Sequence, residues 1–467
     1  MDFTILHFAI HIVWRANVIC TCRKSGIARK TTVAYPELRL LVLPDSNNSK
    51  AMIKYSFKQG CFKQPCLKRI NCVNLHYLTV NANFFMANKF ESPFVFGVRV
   101  EGDTFTDRRV ETDRLKANFT YGVNTILISP RRMGKTSLVD RVCSLVGSDD
   151  IRIARIDAFG TRSEADFINA FATAVVRATS SKWEEWMENA KVFLSRFVPK
   201  ISFGMDPYND FSVSLEYNAS NNTTEEVLRL PELIAQEKGY RIVVCIDEFQ
   251  QIGEYPDSLT FQKKLRGVWQ LQSHVSYCLY GSKKYMMERM FQNSSYPFYR
   301  FGDLFYLGKI SEADWTEFIC QRFEVTGKHI PEQLAQSICR VTDRYSSYVQ
   351  QLAWLVWLHT DDTATETDLQ NAIDRLLDAC EPLFIQQTED MSSYQMNFLH
   401  AIANGVNTGF TQSAVLKKYQ LGTAANITRL KKSLTEKDII TTVAPKTLAI
   451  SDPILQMWLK RRVWREQ

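Results

Sequence analysis

The sequence predicts an α/β protein: a core of parallel strands alternating with helices, then a helical region, then a small domain of three helices and a β-ribbon. Three observations predict it. Thr125–Ile128 and Ile242–Ile246 are short apolar runs that each end in polar, chemistry-bearing residues. Further strand-like runs alternate with helical periodicity between residues 151 and 282. Residues 395–467 then carry three helical stretches and two short β-rich runs.

A chain of 467 residues has room for about three domains at ~150 residues each. With 45% hydrophobic and 23% charged residues, it is no wholly disordered chain, collagen or disulfide miniprotein. Its apolar runs, such as Leu352–Leu358, are far shorter than the ~20 residues that cross a bilayer. No membrane span is expected.

Residues 1–85 contain 12 Lys/Arg against 3 Asp/Glu and five of the eleven cysteines. They show no sustained helical or strand periodicity beyond the apolar run Phe3–Trp14. Cys61, Cys66, Cys72 and His76 have a spacing that zinc tolerates, but the glycines and aromatics of a zinc module are missing around them. The expectation is that 1–85 is not a folded domain, with Met86 as the natural start. The remaining cysteines, 143, 245, 278, 320, 339 and 380, sit mostly in apolar contexts and read as buried free thiols of a reducing, cytoplasmic setting.

The core, 86–308, is expected to hold a nucleotide. Thr125–Ile128 runs through Ser129-Pro-Arg-Arg-Met-Gly134-Lys135-Thr136-Ser137 into a helix with Leu138, Val139, Val142 and Leu145 at helical spacing. Gly134 lets the backbone approach phosphates, and helix-start amides point at them. Lys135 brings a cation to the β/γ oxygens, and the Thr136 hydroxyl can ligate Mg²⁺. Ser129, Arg131, Arg132, Met133, Gly134, Lys135, Thr136 and Ser137 form the candidate phosphate-binding set. Ser129 stands where the usual loop pattern has its first glycine.

Tyr240–Ile246 reads as a buried parallel strand, with Asp247 and Glu248 at its C-terminal end, where ligands bind in such sheets. Asp247 would hold Mg²⁺ through water, and Glu248 would orient and deprotonate an attacking water. Ile151–Asp157 is a strand, and a helix of about 163–179 follows it. A β-hairpin near 199–217 and a polar loop, 218–224, lead to a helix around 225–236. Val275–Gly281 is a further strand, whose terminal Ser282 reads equally as a γ-phosphate sensor and as a simple helix cap.

These residues resemble a known family. Phe105-Thr-Asp-Arg108, Glu111 and Leu115, the loop through Leu138, and Ile246-Asp-Glu-Phe-Gln250 are similar to the predominantly archaeal ATPase family, grouped with the STAND and AAA+-like P-loop NTPases. Gly281-Ser282, Met286, Leu307–Asp314, Tyr348–Ala353 and Asp452–Leu459 agree with it, and the likeness spans about 90–465. It implies a RecA-like αβα core, a helical lid and a winged helix, with ATP as the nucleotide and Mg²⁺ as its metal. It also implies that Lys135 and Thr136 contact phosphate and metal, that Asp247 is the metal acid and that Glu248 is the catalytic acid. Ser129 departs from the family glycine and Ser346 from a frequent lid proline. Arg131, Arg132 and Arg300 are the candidate transition-state arginines.

Residues 309–385 form the expected lid, with Trp315, Phe318, Ile319 and Phe323 on one helix and Leu352, Leu355 and Val356 on another. Polar 386–393 separates it from 395–467, where helices at 398–403, 412–419 and 423–437 precede β-runs at 439–443 and 447–450. That order is a winged helix-turn-helix. Its third helix displays Thr428, Arg429, Lys431 and Lys432, and this end holds 11 Lys/Arg against 4 Asp/Glu. Residues 412–450 read equally as a site for double-stranded DNA and as a docking module for a protein client; Lys460-Arg-Arg adds to the first reading. The expected function is Mg²⁺-dependent ATP binding and hydrolysis that controls the arrangement of core, lid and winged helix. The alternative is an ATP-dependent binding switch or docking module with little turnover.

Overall fold

The computed structural model describes residues 92–98, 105–179 and 224–465 in full, and elsewhere five strands and the first turn of one helix by backbone alone. The chain divides into two units, Met1–Glu91 and Ser92–Gln467. In the first, β1 (Leu38–Pro44), β2 (Lys50–Phe57) and β3 (Thr79–Asn81) form an antiparallel sheet in that order. These strands lie in a stretch whose sequence shows no strand periodicity. The candidate zinc residues Cys61, Cys66, Cys72 and His76 lie outside the described residues.

The second unit is built on five parallel strands. After α1 (Arg109–Tyr121) come β4 (Thr125–Ile128), α2 (Lys135–Val146), β5 (Ile151–Asp157) and α3 (Glu164–Thr179). The hairpin β6 (Ile201–Met205) and β7 (Phe211–Leu215) pairs antiparallel, as its two alternating runs predict. Then α4 (Asn221–Lys238) leads to β8 (Arg241–Asp247), a 3₁₀ turn (Phe249–Glu254), α5 (Ser258–Trp269), β9 (Val275–Gly281), α6 (Lys284–Gln292) and β10 (Asp303–Tyr306). The helix α4 starts within the expected polar loop, at Asn221. Asparagine and threonine favour helix N-termini, so a polar run preceding an apolar face reads as loop while serving as the first turn.

The sheet order is β10-β4-β9-β8-β5, every neighbouring pair parallel. The strand β8 explains why: Ile242, Val244 and Ile246 enter one apolar cluster while Val243 and Cys245 enter the other. Both faces are covered by helices, which a parallel sheet requires. On α2, Leu138, Val139 and Val142 are fully buried, each stabilising the fold by about 1.5–3 kcal/mol. Leu145, expected on the same face, is 54% exposed; in the helix's last turn Cys143 and Val146 are the buried positions instead.

The lid helices are α7 (Glu312–Val325), α8 (Glu332–Val341), α9 (Ser346–His359) and α10 (Glu366–Thr388). Their predicted aromatic and aliphatic stripes are core, with Trp315, Ile319, Phe323, Leu352 and Val356 almost wholly buried. The last domain has α11 (Ser393–Ala403), opened by a capping box of Ser392 and Gln395, then α12 (Ser413–Lys418) and α13 (Ala424–Glu436). The ribbon of β11 (Ile440–Ala444) and β12 (Thr447–Ile450) follows, and α14 (Pro453–Trp458) returns to the lid. Among the described cysteines none is in a disulfide; five are buried and Cys320 is half-buried. No described helix is long and apolar enough to cross a membrane.

Candidate functional site

The ends of β4, β8 and β9, the loop after β4, and the lid enclose a cavity of about 560 Å³. Lys135, Thr136, Asp247, Glu248 and Ser282 all line it, so the residues that the sequence scatters over 148 positions meet at one place. The loop is shaped by left-handed backbone at Arg132 (φ 66°) and Gly134 (φ 84°). A Cβ on Gly134 would meet nothing, so glycine is needed there for its φ and not for room. Ser129 is absent from the left-handed positions, which removes the conformational need for a glycine. It is buried, and its carbonyl takes up the lysine instead.

The Lys135 ammonium is buried and, among the described residues, donates only to the carbonyls of Ser129 and Pro130, each at 3.2 Å. Among the described residues no carboxylate pairs with it directly. Burial pushes its pKa down, against the nearby charges of Glu248 and Asp247. A desolvated cation facing a cavity and held by carbonyl oxygens alone suits an anionic oxygen.

Thr136 donates its hydroxyl to Asp247 Oδ2 at 2.8 Å. Burial, with the adjacent Glu248 charge, pushes the Asp247 carboxyl up to about 6 despite that bond. A hydroxyl and a carboxylate in contact at a cavity wall are hard oxygen donors, the set that suits Mg²⁺. The residues present therefore fit a magnesium–triphosphate.

Glu248 sits at φ 49°, a left-handed conformation that costs a non-glycine residue on the order of 1 kcal/mol. Its Oε2 accepts from Gln250 Nε2 at 2.5 Å, Ser282 Oγ at 2.8 Å and Ser282 N at 3.2 Å. Burial pushes the carboxyl up, but the bonds from Gln250 and Ser282 and the Lys135 charge outweigh it and leave the pKa below its ordinary value.

Of the three candidate arginines, two reach the cavity. Arg131 lines it, with Nε 3.4 Å from Ser282 Oγ. Arg132 also lines it but is engaged elsewhere: Nη1 pairs with Asp452 Oδ2 at 2.9 Å, and the guanidinium lies over the Tyr348 ring at 4.8 Å. Tyr348 donates to the same Asp452 oxygen at 2.7 Å. Arg300 is exposed, lies over Tyr299 and is no part of the wall. Arg108 also lines the cavity; it is buried and clamps the loop by donating to the carbonyls of Met133 and Gly308. Met133 itself is core, and Ser137 is buried at the cavity edge.

The lid meets the loop directly. Ser346 Oγ donates to the Met133 carbonyl at 3.3 Å, and Ser347 N to the Arg132 carbonyl at 3.0 Å. Serine in place of proline at 346 thus adds a bond that a proline ring lacks. Val95, Phe96, Phe105, Ile310 and Trp315 give the same cavity apolar lining, with Gln350 beside Val95, suited to a flat ring.

Sequence reasoning missed Gln250, Asp452, Asp157 and Phe159. Gln250 and Asp452 lie within recognisable motifs but carry no role there, because their partners are Glu248 and a residue 320 positions away. Asp157 and Phe159 line the cavity at the end of β5, next to β8 in the sheet, and only the sheet order shows that.

At the basic end, Thr428, Arg429 and Lys432 are exposed on one face of α13; Lys417, Lys418 and the wing residue Lys446 are exposed as well. Lys431 is half-buried, its ammonium over the Phe410 ring at 5.2 Å. Arg461 and Arg462 pair with Asp374 and Asp378 of the lid, so two members of the expected basic tail are engaged within the chain.

Residues 382–461 match a family described as a probable winged helix domain. Comparison with curated proteins gives no match. Among solved structures, the chain is similar to the Walker-type ATPase PABY2304 of Pyrococcus abyssi, with a TM-score of 0.58 and 18% identity over 79% of this chain and 99% of that one. The Aeropyrum pernix ORC2 protein in its ADPNP–ADP complexes gives 0.41 and 13% over 81% and 99%. The Aeropyrum pernix ORC1 protein in complex with DNA gives 0.41 and 11% over 78% and 94%. The fold is that of a P-loop ATPase core with a helical lid and a C-terminal winged helix.

Proposed function

We propose that this chain binds and hydrolyses ATP with Mg²⁺, and that its nucleotide state controls the arrangement of core, lid and winged helix. The observation that carries this reading is the convergence of Lys135, the Thr136–Asp247 pair and Glu248 on one cavity. Lys135 and the loop amides bind the phosphates and stabilise charge as it develops on their oxygens. Thr136 and Asp247 would hold the Mg²⁺, which when bound supplies positive charge beside the phosphates. Glu248 orients a water for in-line attack on the γ-phosphate and accepts its proton. ATP is preferred to GTP on the family resemblance, no residue here being identified as reading the base.

The coupling has a physical route in the same loop. Phosphate binding acts on backbone whose carbonyls at Arg132 and Met133 hold the lid and whose Arg132 side chain holds Asp452. The exposed face of α13 is then the surface for double-stranded DNA, since Arg429 and Lys432 stand in solvent where a phosphate backbone can meet them. A protein client at the same surface is the other occupant. A second reading, a switch with little turnover, is favoured by the lowered basicity of Glu248.

Nucleotide binding and phosphate release by the full chain test the proposal. Lys135→Ala is expected to weaken ATP binding by about 100-fold or more, the loss of a buried charge-assisted contact. Glu248→Gln is expected to keep binding and to cut phosphate release about 1,000-fold, leaving a slow residual rate that single-turnover measurement reads. Wild-type protein that binds ATP but releases no phosphate, with or without DNA, gives the decision to the switch.

A further inference from the structure

We propose that Gln250 is a positioning residue that fixes the Glu248 carboxylate by one oxygen and thereby aims the other at the attacking water. The inference rests on the hydrolytic reading and deepens it. Glu248 reaches the cavity from a left-handed backbone just past the end of β8, a conformation that local preference does not hold. What holds the side chain is one oxygen: Oε2 accepts from Gln250 Nε2, Ser282 Oγ and Ser282 N. Oε1 takes no hydrogen bond from any described residue. A carboxylate tied this way has its plane set, so its second oxygen points in a single direction.

Gln250 itself is set with unusual care. Its side chain is 2% exposed, and its Oε1 is buried without a partner, so the amide is kept in place at a cost that its packing does not relieve. Turning the amide over would face Oε1 toward Glu248, oxygen against oxygen, so the orientation is fixed by Glu248 alone. The chain also keeps room for it. A Cβ on Gly281, the last residue of β9, would lie 1.9 Å from Gln250 Oε1. Gly281 has no left-handed backbone, so glycine there keeps space, chiefly for this amide and also for Met287 Sδ at 3.0 Å. An orphaned buried oxygen and a strand-end glycine are both explained if the amide is retained for what it does to Glu248.

Steady-state and single-turnover ATP hydrolysis by the full chain, with nucleotide affinity measured separately, test this. Gln250→Met keeps the volume and removes the donor. It is expected to lower kcat about 10–100-fold and leave ATP affinity unchanged, the cost of a misaimed catalytic group. Gly281→Ala, which drives the amide away, is expected to show the same split. The decisive measurement is the double variant: on a Glu248→Gln background, Gln250→Met should lower the residual single-turnover rate no further. A Gln250→Met enzyme with wild-type kcat overturns the inference. So does a loss of equal size on the two backgrounds, which is what a purely structural role would give. A wild-type chain with no hydrolysis overturns the proposed function first, and this inference with it.

Discussion

The two cationic regions of this chain are built in opposite ways. In the loop after β4, Lys135 is buried on backbone carbonyls and Arg132 is paired with Asp452 and lies over the Tyr348 ring. On α13, Arg429 and Lys432 stand in solvent. A desolvated cation is selective, because only a small anion placed at one point repays its burial. Solvated cations act through their summed field, which suits a long polyanion and is screened by salt. Under the proposed function, the same residue types would serve a point ligand at one end and an extended one at the other.

The largest expected effect tests the solvated region. Replacing Arg429, Lys431 and Lys432 with Ala should weaken double-stranded DNA binding about 100-fold at low salt. The salt slope should fall by about 0.9 for each phosphate no longer neutralised. Stability should move by less than about 0.5 kcal/mol, since Arg429 and Lys432 are exposed. Fluorescence anisotropy across a salt series reads affinity and slope together; unchanged binding hands this surface to a protein client.

The buried region predicts the reverse pattern. Asp452→Asn keeps the cap on α14, where Asp452 accepts from Ile454 N and Leu455 N, but removes the charge that Arg132 and Tyr348 share. Denaturant unfolding should show a loss of about 1–2 kcal/mol, with low-salt DNA affinity unmoved. A loss below experimental error would show that the loop and the winged helix are not joined through this node.

The smallest effect is a pH slope. Asp438, in the turn after α13, is pushed up to about 6 by burial, against its backbone bond from Tyr285 and the Lys283 charge. A raised carboxyl binds more protons folded than unfolded, so its stability contribution is full below about 4 and is lost as pH rises through about 6. Asp247 adds a slope of the same sign in the ligand-free protein. Urea midpoints between pH 5 and 7, above the range of the lowered carboxyls Glu232, Glu248 and Asp303, should fall with pH, and Asp438→Asn should flatten part of the fall. A slope unaltered by that variant would assign the whole effect elsewhere.

Much of this architecture is legible in residue order. Ile242–Ile246 announces a strand covered on both faces, and Gly134-Lys135-Thr136 announces a phosphate loop, because periodicity and turn chemistry are local. The exposure of Leu145 and the start of α4 are not legible, because a local pattern does not report which side of a helical turn is covered or which polar run becomes a first turn. Lys431 reads as solvated until Phe410 is seen beneath it. Arg461 and Arg462 read as a basic tail until Asp374 and Asp378 are seen across from them.

By itself, then, the amino-acid order determined which segments are strands and helices, that a lysine and two acids end neighbouring elements, and that the last domain is a basic winged helix. Only the tertiary structure decided which charges are spent inside the protein and which face outward. It alone tied Glu248 to Gln250 and Ser282, and Arg132 to Asp452. The physical reason is that secondary structure follows from neighbours along the chain, whereas desolvation and pairing depend on atoms that meet only when β4, β8, β9 and α14 converge.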